Sequence, residues 1–230
     1  MESWSLRVIA RMHSGFRDKF GIPRQSGRVE TLPGTIVFEP EYRNPDALEG
    51  LEEFTHLWIL WGFSETQRES FHATVRPPRL GGNETKGVFA TRSPYRPNPI
   101  GLSCVRLIGI DSDEEHGTVL RVLGADLMDG TPIYDIKPYL PYTDAHPEAA
   151  SGFADREVVR ALEVSDPGNL LQELDPDLAS IIKELLAEDP RPSYQKKNPE
   201  RVYGMFYGDL EIRFQVTDGT AIIRSIAHTD

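Results

Sequence analysis

The segment that most limits what this chain can fold into is residues 87–101, GVFATRSPYRPNPIG, where Pro94, Pro97 and Pro99 follow an apolar stretch. Each proline fixes φ, removes a backbone donor and biases its predecessor toward extended geometry, so the run is neither helix interior nor ladder strand. It reads as a rigid loop that presents side chains. Arg92, Arg96 and Asn98 then stand on preorganised backbone, and guanidinium forks suit carboxylate or phosphate. A second island, DLMDGTPIYDIKPYL at residues 126–140, repeats the design. It has a turn at Asp129-Gly130, a short extended piece at residues 133–136, and Asp135 and Lys137 flanking Ile136.

Around these islands the chain reads as mainly β, α+β overall. Trp4, Leu6, Val8 and Ala10 alternate with polar residues as in a half-buried strand, and residues 34–38, 54–63, 87–91, 102–110 and 118–123 look extended and apolar. Many short strands with polar turns point to a barrel or sandwich. Asn44-Pro45 reads as a helix start, a capping side chain followed by proline at the first helical position. After about Ala145 the character changes. HPEAASGF reads as a linker, and Asp175-Pro176 opens a helix whose Leu178, Ile181, Ile182, Leu185 and Leu186 form one apolar face. Three strands joined by turns at Gly208-Asp209 and Asp218-Gly219 close the chain. The organisation expected is an N-terminal β-barrel over residues 1–146 and a small α+β appendage over residues 147–230.

The formal net charge of −11 counts against a nucleic-acid partner. Its distribution answers part of that objection: Arg76, Arg79, Lys86, Arg92, Arg96 and Arg106 face only Glu84 in residues 75–106, while most of the acid lies in residues 107–189. Tyr194, Lys196 and Lys197, with Arg191 and Arg201, form an aromatic and basic connection suited to RNA, although a solvated loop has the same composition. No run of about eighteen apolar residues indicates a membrane span. The single Cys104 cannot form an internal disulfide, and no secretory signal opens the chain, so a cytoplasmic protein is expected. Cys104 reads as a core residue and His56 as a hydrogen-bonded core or interface histidine. Neither G-x-G-x-x-G after a strand, nor HExxH, nor a cysteine pair is present, which argues against a Rossmann cofactor fold and a metal site.

The strings TVRPPRLGGN, GVFATRSPYRPNPIGLS and DGTPIYDIKPYLPY, with PRQSG, GLEEFTHLWIL and EDPRPSY, closely resemble the TrmO family, also called TsaA-like or YaeB-like proteins, over nearly the whole chain. The resemblance implies an S-adenosylmethionine-dependent tRNA methyltransferase built on a β-barrel that binds its cofactor at a homodimer interface. The implied reaction methylates the exocyclic amine of threonylcarbamoyladenosine, in the anticodon stem-loop of threonine tRNA. The implied cofactor residues are Pro23, Arg24, Gln25, Ser64, Glu65, Arg92, Leu102, Asp126, Leu127, Met128 and Asp129.

The chemistry narrows the remaining roles. An adenine amine is a weak nucleophile, so acceptors that orient it and a carboxylate that takes its proton both help. Asp126, Asp129 and Asp135 are the candidate carboxylates, and Asn98 could touch the amine or a ring nitrogen. Asp129 could equally cap its own turn. Arg96 and Lys137 suit RNA phosphate or the substrate's carboxylate, beside Tyr194, Lys196 and Lys197. Two other classes stay open from the residues alone. One is a non-catalytic RNA-binding barrel; the other is an interaction module whose Pro-rich loop forms a dimer surface with Trp58 and Trp61 beneath it.

Overall fold

The structure is a computed structural model, and it describes residues 4–65, 70–77, 84–156, 161–192 and 198–229. Chain contacts divide it into two compact units, one of Met1–Ser14, Gln25–His72 and Pro94–Ala145, the other of Gly15–Arg24, Ala73–Ser93 and His146–Asp230.

The first unit is a closed barrel. Its strands are β1 (Ala10–Ser14), β2 (Pro33–Phe38), β3 (His56–Gly62), β6 (Ile100–Asp113), β7 (Gly117–Leu123) and β8 (Pro132–Pro138), hydrogen-bonded in the order β1-β2-β7-β6-β3-β8 with β8 returning to β1. Alternation decides which side chains enter. Leu57, Ile59 and Trp61 of β3 point inward with Met12, Ile36, Val105, Leu120, Val122 and Ile133, and together they fill the barrel. A register shift between Leu60 and Trp61 opposes Trp61 to Ile133 and leaves Tyr134 to pack its phenol against Gly62, where a Cβ could not fit.

The second unit is built on a four-stranded sheet in the order β10-β11-β12-β9, from β9 (Glu163–Ser165), β10 (Val202–Tyr207), β11 (Leu210–Thr217) and β12 (Thr220–His228). Both hairpins have two-residue turns, with Gly208 at φ +60° in one and Asp218 and Gly219 at φ +50° and +80° in the other. The helix α2 (Pro176–Ala187) begins where the Asp175 side chain accepts from the amides of Asp177 and Leu178, and it buries Ile181, Ile182, Leu185 and Leu186. The other helix, α1 (Pro141–Asp144), is a single turn of the barrel unit. Residues 15–24 belong to the second unit: Phe16 meets Tyr207 edge-on at 5.3 Å between ring centroids, and Phe20 stacks on Tyr203 and Phe214. The same unit holds the short ribbon of β4 (Thr74–Val75) and β5 (Lys86–Gly87).

Three local expectations change, and one strand is added. Residues 4–9 form no strand, and Trp4 and Leu6 stay exposed; the backbone bonds to the neighbouring strands begin at Ile9, whose amide donates to Ile133 and whose carbonyl accepts from Glu39. The helix expected from Asn44 is two short 3-10 turns, Pro45–Leu48 and Leu51–Glu53. Asn44 does cap the first, and Gly50 at φ +81° separates them. The stretch read as extended at residues 87–91 is a 3-10 turn over Val88–Ala90, tied by the Thr91 amide and hydroxyl to the Val88 carbonyl. The parallel strand β9 was not foreseen; it adds to the edge of β12.

Tyr207 gives the second unit a measurable titration. Burial pushes its phenol up to about 12. A folded value above the unfolded one, about 10, means that the contribution to stability is complete below that pH and is lost as pH rises through about 12. Alkaline titration followed by tyrosinate absorbance should show a late phase that coincides with loss of the sheet and disappears in Tyr207→Phe. A Tyr207→Phe protein with an unchanged late phase would contradict this.

Candidate active site

The ladder between β6 and β7 ends at Arg106 and Leu123, which leaves the first residues of β6 unpaired on that side. Two loops take the place of β7. The Ser26 hydroxyl accepts from the Cys104 amide at 3.1 Å, and the Gly27 amide donates to the Gly124 carbonyl at 2.9 Å, so residues 25–27 and residues 124–127 run beside β6. Gln25, Leu102 and Asp126 are thereby brought into one neighbourhood of the barrel unit.

Asp126 is the carboxylate among them. Its Oδ1 accepts from the Ser103 hydroxyl at 2.5 Å, and Ser103 Oγ accepts from the Trp61 indole N–H at 2.9 Å. Ser103 is wholly buried and Trp61 nearly so. Gly101 makes this possible, because the Trp61 ring lies where a Cβ on residue 101 would be. Leu127 is buried, and its carbonyl accepts from the Ser14 hydroxyl at 2.8 Å. Met128 is half-buried, and its carbonyl accepts from the Thr131 hydroxyl at 2.7 Å. Asp129 is exposed and turned to β1, with Oδ1 3.1 Å from the Ser14 amide and 3.5 Å from His13 Nδ1. The turn is thus stitched to β1 and presents its carboxylate there.

Asp135 faces away from the barrel core. It pairs with Leu60, which also pairs with Leu102, so Leu102, Leu60 and Asp135 form one row across β6, β3 and β8. Lys137 Nζ lies 2.8 Å from Asp135 Oδ2, so the proposed phosphate-binding lysine is already neutralised in part by its neighbour. Leu102 is 53% exposed on this outer face, with Ile100 and Ile108 also exposed along β6.

The Pro-rich loop carries no regular element between Thr91 and Pro99, as its composition requires. It is anchored by the Phe63 amide donating to the Pro99 carbonyl at 2.9 Å, while the Arg96 and Ile100 amides donate to the Pro94 and Asn98 carbonyls. Arg96 is half-buried and Asn98 exposed; Ser64 and Glu65 form an exposed turn beyond β3. Trp61 packs on Phe63 at 4.3 Å between ring centroids, beside the loop's anchor. Trp58 is elsewhere, donating to Asp144 at 2.9 Å and packing on Tyr139.

The remaining candidates lie in the second unit or outside the described residues. Pro23 is buried and Arg24 exposed, both lining a cleft of about 380 Å³ with Phe20, Leu185 and Asp189. Arg92 is exposed at the end of that unit's residues 73–93. Arg191 is not an RNA-facing cation: it is 7% exposed and donates to both oxygens of Asp189, at 2.7 and 3.1 Å. Tyr194, Lys196 and Lys197 lie outside the described residues.

Two bystanders are settled by their surroundings. Cys104 is half-buried rather than a core residue, and burial, with Asp144 adding to it, pushes its thiol up, which disfavours the thiolate. His56 is exposed rather than in the core, with Nδ1 2.9 Å from the Thr55 hydroxyl. Among the described residues, no group of three His, Cys, Asp or Glu side chains could hold a metal ion, and no helix is long and apolar enough to cross a membrane.

A barrel with these loops matches a known pattern from end to end. The model of the tRNA-methyltransferase O N-terminal domain matches residues 11–145, and that of the TrmO C-terminal domain matches residues 158–229. The chain belongs to the tRNA-methyltransferase O family. It is 40% identical over 225 residues to the tRNA (adenine(37)-N6)-methyltransferase of Escherichia coli K12, covering 95% of each chain. It is 46% identical over 178 residues to the protein of the same name from Eikenella corrodens, covering 75% of this chain and 97% of that one. The crystal structure of TrmO from Pseudomonas aeruginosa superposes with a TM-score of 0.78 at 33% identity, covering 98% of this chain and 100% of that one. Ser103 bonds to Asp126 directly and Trp61 bonds to it through Ser103; the sequence reading gave Ser103 no role and Trp61 only a place beneath the Pro-rich loop. The available signal was the G-x-S at the start of β6, where a small residue and a hydroxyl face inward among bulky apolar ones.

Proposed function

We propose that this chain is an S-adenosylmethionine-dependent methyltransferase that acts on N6 of adenosine at position 37 of tRNA: two of its relatives are named tRNA (adenine(37)-N6)-methyltransferase and a third a putative S-adenosylmethionine-dependent methyltransferase. The finer substrate is threonylcarbamoyladenosine in the anticodon stem-loop of threonine tRNA, and the setting is the cytoplasm. The observation that carries the reading is the Trp61–Ser103–Asp126 chain of hydrogen bonds, which holds one carboxylate at the barrel end where the family's loops gather. A non-catalytic RNA-binding barrel has no need of it.

The donor set fits the cofactor. Asp126 and Asp129 offer acceptors for ribose hydroxyls and an ammonium group, Leu102, Leu127 and Met128 offer apolar surface, and Gln25, Ser64 and Glu65 offer further polar contacts. Arg24 and Arg92 stand as contacts for the cofactor carboxylate on guanidinium chemistry and the resemblance, with Pro23 stiffening the first loop. When bound, S-adenosylmethionine supplies an electrophilic methyl on a sulfonium. The chain's own task is to place the adenosine amine in line with it and to receive the amine's proton. Asp126 is proposed as the proton acceptor, with Asn98 and Asp135 orienting the base. Arg96 and Lys137, and Tyr194, Lys196 and Lys197 in the connection before β10, are proposed for RNA. In this reading the barrel within residues 1–146 is the catalytic part and residues 147–230 are the appendage, with residues 15–24 and 73–93 grouped with the appendage by their contacts.

The exposed apolar residues of β6, Ile100, Leu102 and Ile108, support a homodimer formed through that face. Light scattering should give the mass of two chains for the native protein and of one chain for Leu102→Glu. A native protein that stays at the mass of one chain at all concentrations would refute the dimer. The function itself is tested by calorimetric titration with S-adenosylmethionine: saturable binding that is lost in Asp126→Ala supports the site, and absence of binding by the native protein overturns it.

A further inference from the structure

The direction of the hydrogen bonds around Ser103 is fixed by chemistry. An indole N–H only donates, so at 2.9 Å the Trp61 Nε1 proton occupies a lone pair of Ser103 Oγ. The single hydroxyl proton of Ser103 is then directed at Asp126 Oδ1, 2.5 Å away, a distance at the short end for a hydroxyl on a carboxylate. Such a bond limits the rotation of the carboxylate. The arrangement needs space as well as partners. Gly101 leaves the gap that the Trp61 ring fills, and Phe63 packs against the ring at 4.3 Å. Packing alone does not call for these polar atoms, since an apolar ring at 61 and a methyl at 103 would leave no indole or hydroxyl donor to satisfy.

We propose that Trp61 and Ser103 are positioning residues for Asp126: the indole sets the Ser103 hydroxyl, and the hydroxyl holds the carboxylate in the single orientation from which it serves methyl transfer. The inference rests on the reading that Asp126 works at the reaction site. It adds two buried barrel residues, one each from β3 and β6, that touch neither substrate nor cofactor in this account.

The test uses the full chain, S-adenosylmethionine and tRNA substrate, with kcat and KM measured for Trp61→Phe, Ser103→Ala, Ser103→Thr, Asp126→Asn and the Ser103→Ala/Asp126→Asn double variant. Loss of orientation by a fraction of an ångström to an ångström is worth up to about 10²-fold in rate, so Trp61→Phe and Ser103→Ala should lower kcat by about 10- to 100-fold. The KM for S-adenosylmethionine should change by less than about threefold, and Ser103→Thr, which keeps a hydroxyl, should recover most of the rate. In the Asp126→Asn background, Ser103→Ala should add less than about twofold, because the group it positions is already gone. Native-like kcat in both Trp61→Phe and Ser103→Ala overturns the proposal while leaving Asp126 in place, as do losses that multiply in the double variant. Native-like kcat in Asp126→Asn overturns both the proposal and the reading beneath it. Should Ser103→Ala fail to fold, Trp61→Phe decides through its kcat-against-KM split beside thermal unfolding, since it keeps an aromatic ring, removes the donor and leaves a smaller side chain.

Discussion

Asp126→Asn lowers the rate of methyl transfer by about 10²- to 10⁴-fold, the range that a positioned proton acceptor contributes. Asparagine has nearly the same shape and can still accept from the Ser103 hydroxyl, so the barrel and its loop are expected to stay folded. What is lost is the negative charge. The acceptor amine carries a partial positive charge as the carbon–nitrogen bond forms, and a carboxylate both stabilises that charge and takes the proton. An amide does neither. Steady-state kinetics with saturating tRNA, beside thermal unfolding of both proteins, separates this from a folding defect. A variant that keeps native stability and native rate would assign Asp126 to shape alone.

Gly101→Ala damages both stability and rate, because residue 101 has no space for a side chain. Its Cβ would overlap the Trp61 ring, which is buried against Phe63 and cannot swing outward as a flexible chain end could. Overpacking of this kind costs about 1–3 kcal/mol. The ring must shift, its N–H leaves Ser103, and the hydroxyl that bonds the carboxylate is no longer set by the indole. The expected result is a lower midpoint of chemical denaturation together with a fall in kcat of at least about tenfold. Trp61→Phe makes a useful companion, since it breaks the same relay with no overlap. If Gly101→Ala retained native stability, the packing described around Trp61 would be wrong.

These two outcomes mark where sequence and structure part company. The hairpins of the C-terminal sheet were legible because Gly208-Asp209 and Asp218-Gly219 demand two-residue turns, and α2 because Asp175-Pro176 supplies both a cap and a first helical residue. The strands of the barrel were legible from alternation, as in Leu57, Ile59 and Trp61, and barrel closure is what a mainly β chain of short strands admits. Trp4 and Leu6 show the limit of that signal: period two marks a strand only when another strand lies beside it. The Pro-rich loop was legible from proline geometry. Val88–Ala90, just before it, was not, because an apolar run of three residues suits a tight turn as well as a strand.

The site shows the same division. Asp126, Asp129 and the residues around them stood out through polar groups on stiff backbone and through family strings. The relay that ties Asp126 to the barrel did not, because residues 61, 103 and 126 belong to three segments and meet only once β3 pairs with β6 and the loop after β7 takes up the free edge. A serine in an apolar strand carries no mark of its partner. Arg191 is the reverse case, a residue whose composition suits RNA but whose guanidinium is spent on Asp189 in the interior. Charge near an aromatic in sequence says nothing of which side of the surface it occupies.

The most direct measurement is nucleoside mass spectrometry on tRNA from a strain lacking this protein, after incubation of that tRNA with the purified protein and S-adenosylmethionine. The account predicts that threonylcarbamoyladenosine gains one methyl group on N6, with no gain when cofactor is omitted or Asp126→Asn replaces the native chain. tRNA whose threonylcarbamoyladenosine is unchanged after incubation with folded native protein that binds the cofactor would contradict it.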